Sequence, residues 1–339
     1  MIPQHGGSDS GPAPIEDFSS NASPLGPPPA LLQAVLTADR ARYPDPAYLA
    51  SRERLGAAEG VDAARVLPAS GGAEAIRRLS LAAHLSGLTE VWVPQPGFGD
   101  YAAAAMALGL QVQGYASAQH LSQALQRPAL VWVCEPCNPS GDSFSAGDWL
   151  ALDAALQRSA STLAVDCAYE PLRLDGASQL PPDLAERAWR LICPNKALGL
   201  TGVRAAYLLA PALDGLIEHA VNVAPSWVLS SEGVALLMHW HSDETHAHLR
   251  RVRSQLTAWR ATQHALLADL GWQQRPTCTN FWLAKPRQAG LLLKPLRERG
   301  IKLRDATSFG LPGWVRLSTQ APTAQQALLR AIKELEETI

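Results

Sequence analysis

The sequence predicts an α/β fold with a mostly parallel central sheet, followed by a smaller α+β domain. Three observations carry this. From about residue 63, short apolar runs of strand length alternate with helical patterns, the arrangement of a layered α/β domain. Several runs are apolar throughout rather than alternating, as strands buried on both faces must be. After Pro225 the texture changes to a long, charged helical region and then to three further strand candidates.

Residues 1–29, rich in Pro, Gly and Ser, suggest an irregular arm, with a helix at 30–39. One strand is expected to end near Leu67. Others are EVWVP (90–94), ALVWVCEP (129–136), STLAVDCAY (161–169), WRLICP (189–194) and GVRAAYLLA (202–210). Helical stretches near 72–86, 99–109, 146–158 and 212–223 lie between or beside them. Beyond Pro225, a helical region (226–270) leads to NFWLAKP, IKLRDA and WVRLSTQ, accompanied by helices at 288–299 and 321–338. The expected division is an arm and helix (1–39), a large α/β domain (40–225) and a small C-terminal domain (226–339).

The 339 residues carry 29 basic and 31 acidic side chains, a formal charge of −2, which gives no reason to expect nucleic acid or a membrane surface. No apolar stretch approaches the roughly 18 residues a membrane span needs. The N-terminus lacks the basic and apolar regions of a secretory signal, and the five cysteines are an odd number, so reduced thiols in a cytoplasm are expected.

In open parallel sheets, ligands bind at the carboxyl ends of strands, so the residues just past each strand are informative. After Leu67, Ser70, Gly71, Gly72 and Ala73 open an amphipathic helix. Small residues at a helix N-terminus let backbone N–H groups approach an anion. After EVWVP, Phe98 offers a flat platform for a heteroaromatic ring. Asn138, in the turn after Val133, offers an amide to a ligand oxygen. Asp166 ends an apolar strand, where a carboxylate is costly without a partner, and Tyr169 lies three residues further on. A protonated ring nitrogen would be such a partner. In CPNKALGLTGVR (193–204), Lys196 and Arg204 flank Gly199 and Gly202. This set of an anion cradle, ring platform, amide, phenol, carboxylate, amine and guanidinium matches the needs of pyridoxal phosphate. No metal site is expected. Cys134-x-x-Cys137 has no second pair, and the histidine-rich HWHSDETHAH (239–248) suits a solvated helical face.

The order GGAEAI, PGFGDY, NPSG, DCAY, NK and GLTGVR resembles fold-type-I pyridoxal-phosphate enzymes of the class I/II aminotransferase group, over nearly the whole chain. That resemblance implies the pyridoxal-phosphate-dependent transferase fold. RYPDPAY (42–48) is shared by two subfamilies, the histidinol-phosphate aminotransferases and the threonine-phosphate decarboxylases of cobalamin biosynthesis. The arm, with HGG (5–7) and then DFSSNASPLGPP (17–28), is similar to the decarboxylases. By resemblance, Lys196 is the Schiff-base lysine, Asp166 the partner of the pyridinium nitrogen, and Asn138 and Tyr169 the partners of the phenolic oxygen. Phe98 would stack on the ring, and Gly71, Gly72, Ala73 and Arg204 would hold the phosphate. Tyr43 would reach the phosphate of a neighbouring subunit, which implies a homodimer. Asn21, Arg304 and Arg316 match positions that bind substrate anions, and His5 lies in the arm that would cover the site.

The chain departs from the pattern at Cys193 and Asn195, where the family has Ser or Thr, and at Cys137 and Cys167. The expected reaction is decarboxylation of L-threonine O-3-phosphate to aminopropanol phosphate. The alternatives are histidinol-phosphate transamination and a cofactor-binding partner without turnover. Retention of both Lys196 and Asp166 argues against the last.

Overall fold

In the computed structural model, which describes residues 5–287 and 289–336, the apolar runs assemble into one seven-stranded sheet. A first short strand, β1 (Glu16–Asp17), lies in the arm. The large sheet contains β2 (Val66–Ala69), β3 (Glu90–Pro94), β4 (Gln111–Tyr115), β5 (Leu130–Cys134), β6 (Thr162–Asp166), β7 (Trp189–Ile192) and β8 (Ala206–Leu209). Their order is β2-β8-β7-β6-β5-β3-β4, parallel except for β8, which is antiparallel to both of its neighbours.

The continuous apolar runs have the physical origin expected of them. Successive side chains of a strand face opposite sides of its sheet. In β5, Leu130, Trp132 and Cys134 pack into one core layer. Val131 and Val133 pack into the other, against Trp149 of the helix Ala146–Ser159. Strand β4 was not expected from the sequence. It is an edge strand paired only with β3, and its QVQGY is partly exposed, so it carries no continuous apolar run.

The small domain is a four-stranded antiparallel sheet in the order β12-β13-β10-β9, from β9 (Gln273–Gln274), β10 (Phe281–Lys285), β12 (Arg304–Asp305) and β13 (Val315–Ser318). The expected strand IKLRDA is divided at Leu303. Its first half, β11 (Ile301–Lys302), pairs in parallel with β1, and its second half is β12, on β13. The arm is therefore not irregular throughout. Phe18 anchors it by burial in the small-domain core, and its N–H donates to Lys302 O at 2.9 Å. The helices Ala289–Glu298 and Pro322–Glu336 flank this sheet; the expected helix ends at 288, 337 and 338 lie outside the described residues, as do domain ends 1–4 and 337–339.

The expected helical region 226–270 is two helices, Ser231–Trp240 and Asp243–Asp269. They are separated at Ser242, whose hydroxyl accepts from Thr245 N. Nor does the packing divide at 225/226. Leu229, Leu236, Trp240, Leu249, Val252 and Leu256 join the large-sheet core, whereas Leu267 and Trp272 join the small one. A 27-residue helix is roughly 40 Å long, so one element serves both cores.

Candidate active site

The segments after β2, β3, β5, β6 and β7 converge, with the arm and the small sheet, on one cavity of about 390 Å³. Lys196 lies on the single helical turn Pro194–Ala197, directly after β7. Its Nζ is 4.7 Å from the centroid of the Tyr169 ring. Burial opposes its charge, but neighbours led by Tyr169, with Asp166 among them, outweigh this and raise its pKa above the ordinary lysine value. The amine is thus held as a cation and must lose a proton before it can attack an aldehyde.

Asp166 is the last residue of β6 and lines the same cavity. Its Oδ1 accepts from Ala168 N at 2.9 Å and its Oδ2 accepts from the Tyr101 hydroxyl at 2.6 Å. Tyr101 is fully buried and stacks on Trp132, with centroids 4.9 Å apart and planes at 19°. Burial, then the Asp166 charge, pushes its pKa well up, so the phenol remains a donor. Sequence reasoning gives Tyr101 no role. The available signal was its position three residues after Phe98, the residue that caps the helix Gly99–Met106 and meets Tyr101 edge to face.

The anion cradle is built by an absence of side chain. Gly71, with φ +81°, precedes the helix Gly72–Leu85. A Cβ at Gly71 would lie 2.2 Å from Arg204 Nη2. Only glycine therefore lets the guanidinium approach the start of this helix so closely. Asn195 does not replace a serine there, since its Nδ2 is directed at Val203 O at 3.5 Å. The buried Cys193 thiol is pushed up to about 12 by desolvation and stays neutral. An anion placed here would meet the Gly71 turn and Arg204 rather than Cys193 or Asn195. Gly71→Ala, by displacing the guanidinium and straining the turn, is expected to weaken cofactor binding about 10- to 100-fold, the worth of a hydrogen bond to a charged group. Equilibrium dialysis of the apoprotein with pyridoxal phosphate checks this, and unchanged affinity would contradict the cradle.

Arg304 and Arg316 are cross-strand partners in the β12–β13 register, so both project from one face of the small sheet into the cavity. A solvated strand edge is excluded, because both residues are buried. Arg316 donates through Nη1 to Asn138 Oδ1 at 2.6 Å and through Nη2 to Ser19 O at 2.5 Å. Burial lowers its pKa to about 10, which still leaves it a cation at neutral pH. Arg304 donates to Ser308 Oγ at 2.6 Å and lies over Phe309, 4.8 Å from the ring centroid. Asn21 is buried on the cavity wall, and neither atom of its side-chain amide meets a partner among the described residues. His5 is beside Asp100, and Tyr43 lies outside the cavity, exposed and stacked on Trp227 at 4.4 Å.

These residues fit pyridoxal phosphate. The Arg204 guanidinium packed against Gly71 at the start of a helix suits a phosphate, while Phe98, Asp166, Asn138, Tyr169 and Lys196 line one cavity that can take a flat ring carrying a nitrogen, a phenolic oxygen and an aldehyde.

The sequence pattern of the aminotransferase class I and II family matches residues 13–335. A histidinol-phosphate aminotransferase of Halorubrum lacusprofundi is 30% identical over 337 residues, covering 95% of this chain and 88% of that protein. The fold is similar to that of a histidinol-phosphate aminotransferase from Sinorhizobium meliloti solved in complex with pyridoxal-5'-phosphate, with a TM-score of 0.81, 22% identity and coverage of 96% and 92% of the two chains. It is also similar to an L-threonine-O-3-phosphate decarboxylase from Porphyromonas gingivalis, with a TM-score of 0.78, 21% identity and coverage of 95% and 100%.

The expectation of threonine-phosphate decarboxylation is overturned by these findings. Curated relatives between 26% and 30% identical are histidinol-phosphate aminotransferases. The decarboxylase, at 21%, bears on the fold alone. The physical reason is plain: the arm and the arginine pair suit many anionic amines, and no motif specifies which bond at Cα stands perpendicular to the ring. Among the described residues, no helix is long and apolar enough to cross a membrane.

Proposed function

Because the chain belongs to the aminotransferase class I and II family, we propose that it is an aminotransferase acting on histidinol phosphate. Pyridoxal phosphate is its cofactor. When bound, that group supplies an electron sink for the bond broken at the substrate Cα. The observation that carries the reading is the meeting of Lys196 and Asp166 in one cavity with a buried arginine pair. The name of the curated relatives supports the choice of substrate.

The chain's own residues divide the work. Lys196 would hold the cofactor covalently at rest, and its Nζ would then take the proton from the substrate Cα. Asp166, oriented by Tyr101 and the Ala168 N–H, would hold a ring-nitrogen proton. Phe98 would cover one ring face, and Asn138 and Tyr169 would hold the phenolic oxygen. Gly71, Gly72, Ala73 and Arg204 would hold the cofactor phosphate. Arg304, Arg316 and Asn21 would take the substrate phosphate in one half-reaction and a keto acid carboxylate in the other, since guanidinium groups pair with both anions.

The exposed Tyr43 would serve the site of a second copy, making the protein a homodimer. Lys196→Ala and Tyr43→Phe chains, each impaired alone, should then recover activity on mixing, because one hybrid site carries both intact residues. No recovery on mixing would contradict the shared site. The five cysteines, all free thiols, suit a reducing cytoplasm.

The function is tested by incubating the holoprotein with histidinol phosphate and 2-oxoglutarate and monitoring glutamate. Glutamate formation dependent on both compounds is expected. No glutamate, with carbon dioxide released from threonine phosphate instead, would contradict the proposal.

A further inference from the structure

Asp100 is an acid in a cavity whose other charged walls are cationic apart from Asp166, and the cofactor reading gives it no task. It stands in the first turn of the helix Gly99–Met106, two residues after Phe98. Its side chain is 16% exposed, and its carboxylate meets His5 of the arm, with Nε2 to Oδ1 at 3.4 Å, a contact that is an ion pair whenever the imidazole is protonated. The His5 ring also leans on Phe98, with centroids 5.5 Å apart and planes at 47°. An imidazole of the protein's own chain therefore occupies a place built from an aromatic ring and a carboxylate. Such a place suits a flat cationic nitrogen heterocycle, which gains both ring contact and charge pairing.

The hold on His5 is slight. The arm is fixed from Gly6 onward. A Cβ on Gly6 would meet Ser19 O at 1.9 Å, Gly7 N donates to Ser19 Oγ at 2.9 Å, and Lys302 Nζ donates to Gly7 O at 2.5 Å. His5 lies just beyond that anchor, its side chain 46% exposed. A solvent-accessible ion pair of this kind contributes little, so a ligand offering the same groups can displace it.

We propose that Asp100, beside the Phe98 platform of the cofactor, is the recognition group for the imidazole of the substrate, and that His5 holds this place until the substrate displaces it. This rests on the histidinol-phosphate reading for the identity of the ligand, but the subsite can be tested without turnover. The arginines of the small sheet would take the anionic end of the molecule, and Asp100, from the large domain, its ring.

The first arm of the experiment uses free imidazole and holoprotein, with binding measured by ligand-observed NMR. His5→Ala vacates the subsite and is expected to bind imidazole at least about tenfold more tightly than the unaltered chain. Adding Asp100→Asn, a near-isosteric change, should abolish that gain. Equal imidazole binding in the unaltered chain, His5→Ala and the double variant would overturn the proposal, whatever the substrate is. The second arm measures KM. Asp100→Asn should raise KM for histidinol phosphate about tenfold, and His5→Ala should lower it a few-fold. A raised KM in His5→Ala would make His5 a substrate contact and overturn its part as a placeholder. Failure of the unaltered chain to turn over histidinol phosphate, with the imidazole result intact, would reject the substrate and leave the subsite standing.

Discussion

Replacing Lys196 with alanine is expected to lower turnover by at least about four orders of magnitude, because in the proposed mechanism one amine would serve both as the covalent anchor and as the base at Cα. The visible absorbance of covalently held cofactor should vanish with it. The rest of the cavity should survive, since the Lys196 backbone carbonyl, rather than its side chain, accepts from Ser23 N and Gly199 N. Variant protein should therefore fold and still bind the cofactor non-covalently through Arg204 and the cradle. Stopped-flow kinetics and a visible spectrum check this. Turnover within about tenfold of the unaltered chain would remove Lys196 from the chemistry.

The second large effect is at Asp166. The residue is buried, and its carboxylate is held by Tyr101 and by the Ala168 N–H. Its proposed charge partner is the protonated ring nitrogen of the cofactor, and removing one member of a buried charge pair costs about 3–5 kcal/mol, because the other is left uncompensated. Asp166→Ala is thus expected to lower kcat by about 10²- to 10⁴-fold. Tyr101→Phe, which removes one donor and keeps the stack on Trp132, should have a milder effect of about tenfold. It should act on kcat rather than on KM for histidinol phosphate, because the Tyr101 hydroxyl is engaged by Asp166. If Tyr101→Phe exceeded Asp166→Ala, Tyr101 would be the principal group and Asp166 its support.

The parallel sheet was legible because apolar runs without alternation have one physical explanation, burial on both faces. The cavity residues were legible because strand ends in such a sheet meet at one edge, so Phe98, Asp166 and Lys196 are close in space although far apart in sequence. Tyr101 was not, because a buried phenol reads as core until its hydroxyl is seen on Asp166. The small domain was harder. Division of IKLRDA at Leu303, with the arm pairing on one half, depends on a contact between residues about 285 apart, as in Glu16 opposite Ile301, and no local pattern encodes it. The burial of Arg304 and Arg316 has the same origin, since it depends on register and on the arm. Substrate identity was misjudged for another reason: the arm motif reports how the site is covered, not which bond at Cα is aligned for cleavage.

The central claim is that this site moves an amino group from histidinol phosphate. It is tested most directly by a single turnover without any keto acid. Holoprotein mixed with excess histidinol phosphate should form one equivalent of the corresponding ketone per site, detected by mass spectrometry, and then stop until 2-oxoglutarate is added. Absence of the ketone, or its continued formation with no acceptor present, would contradict the account.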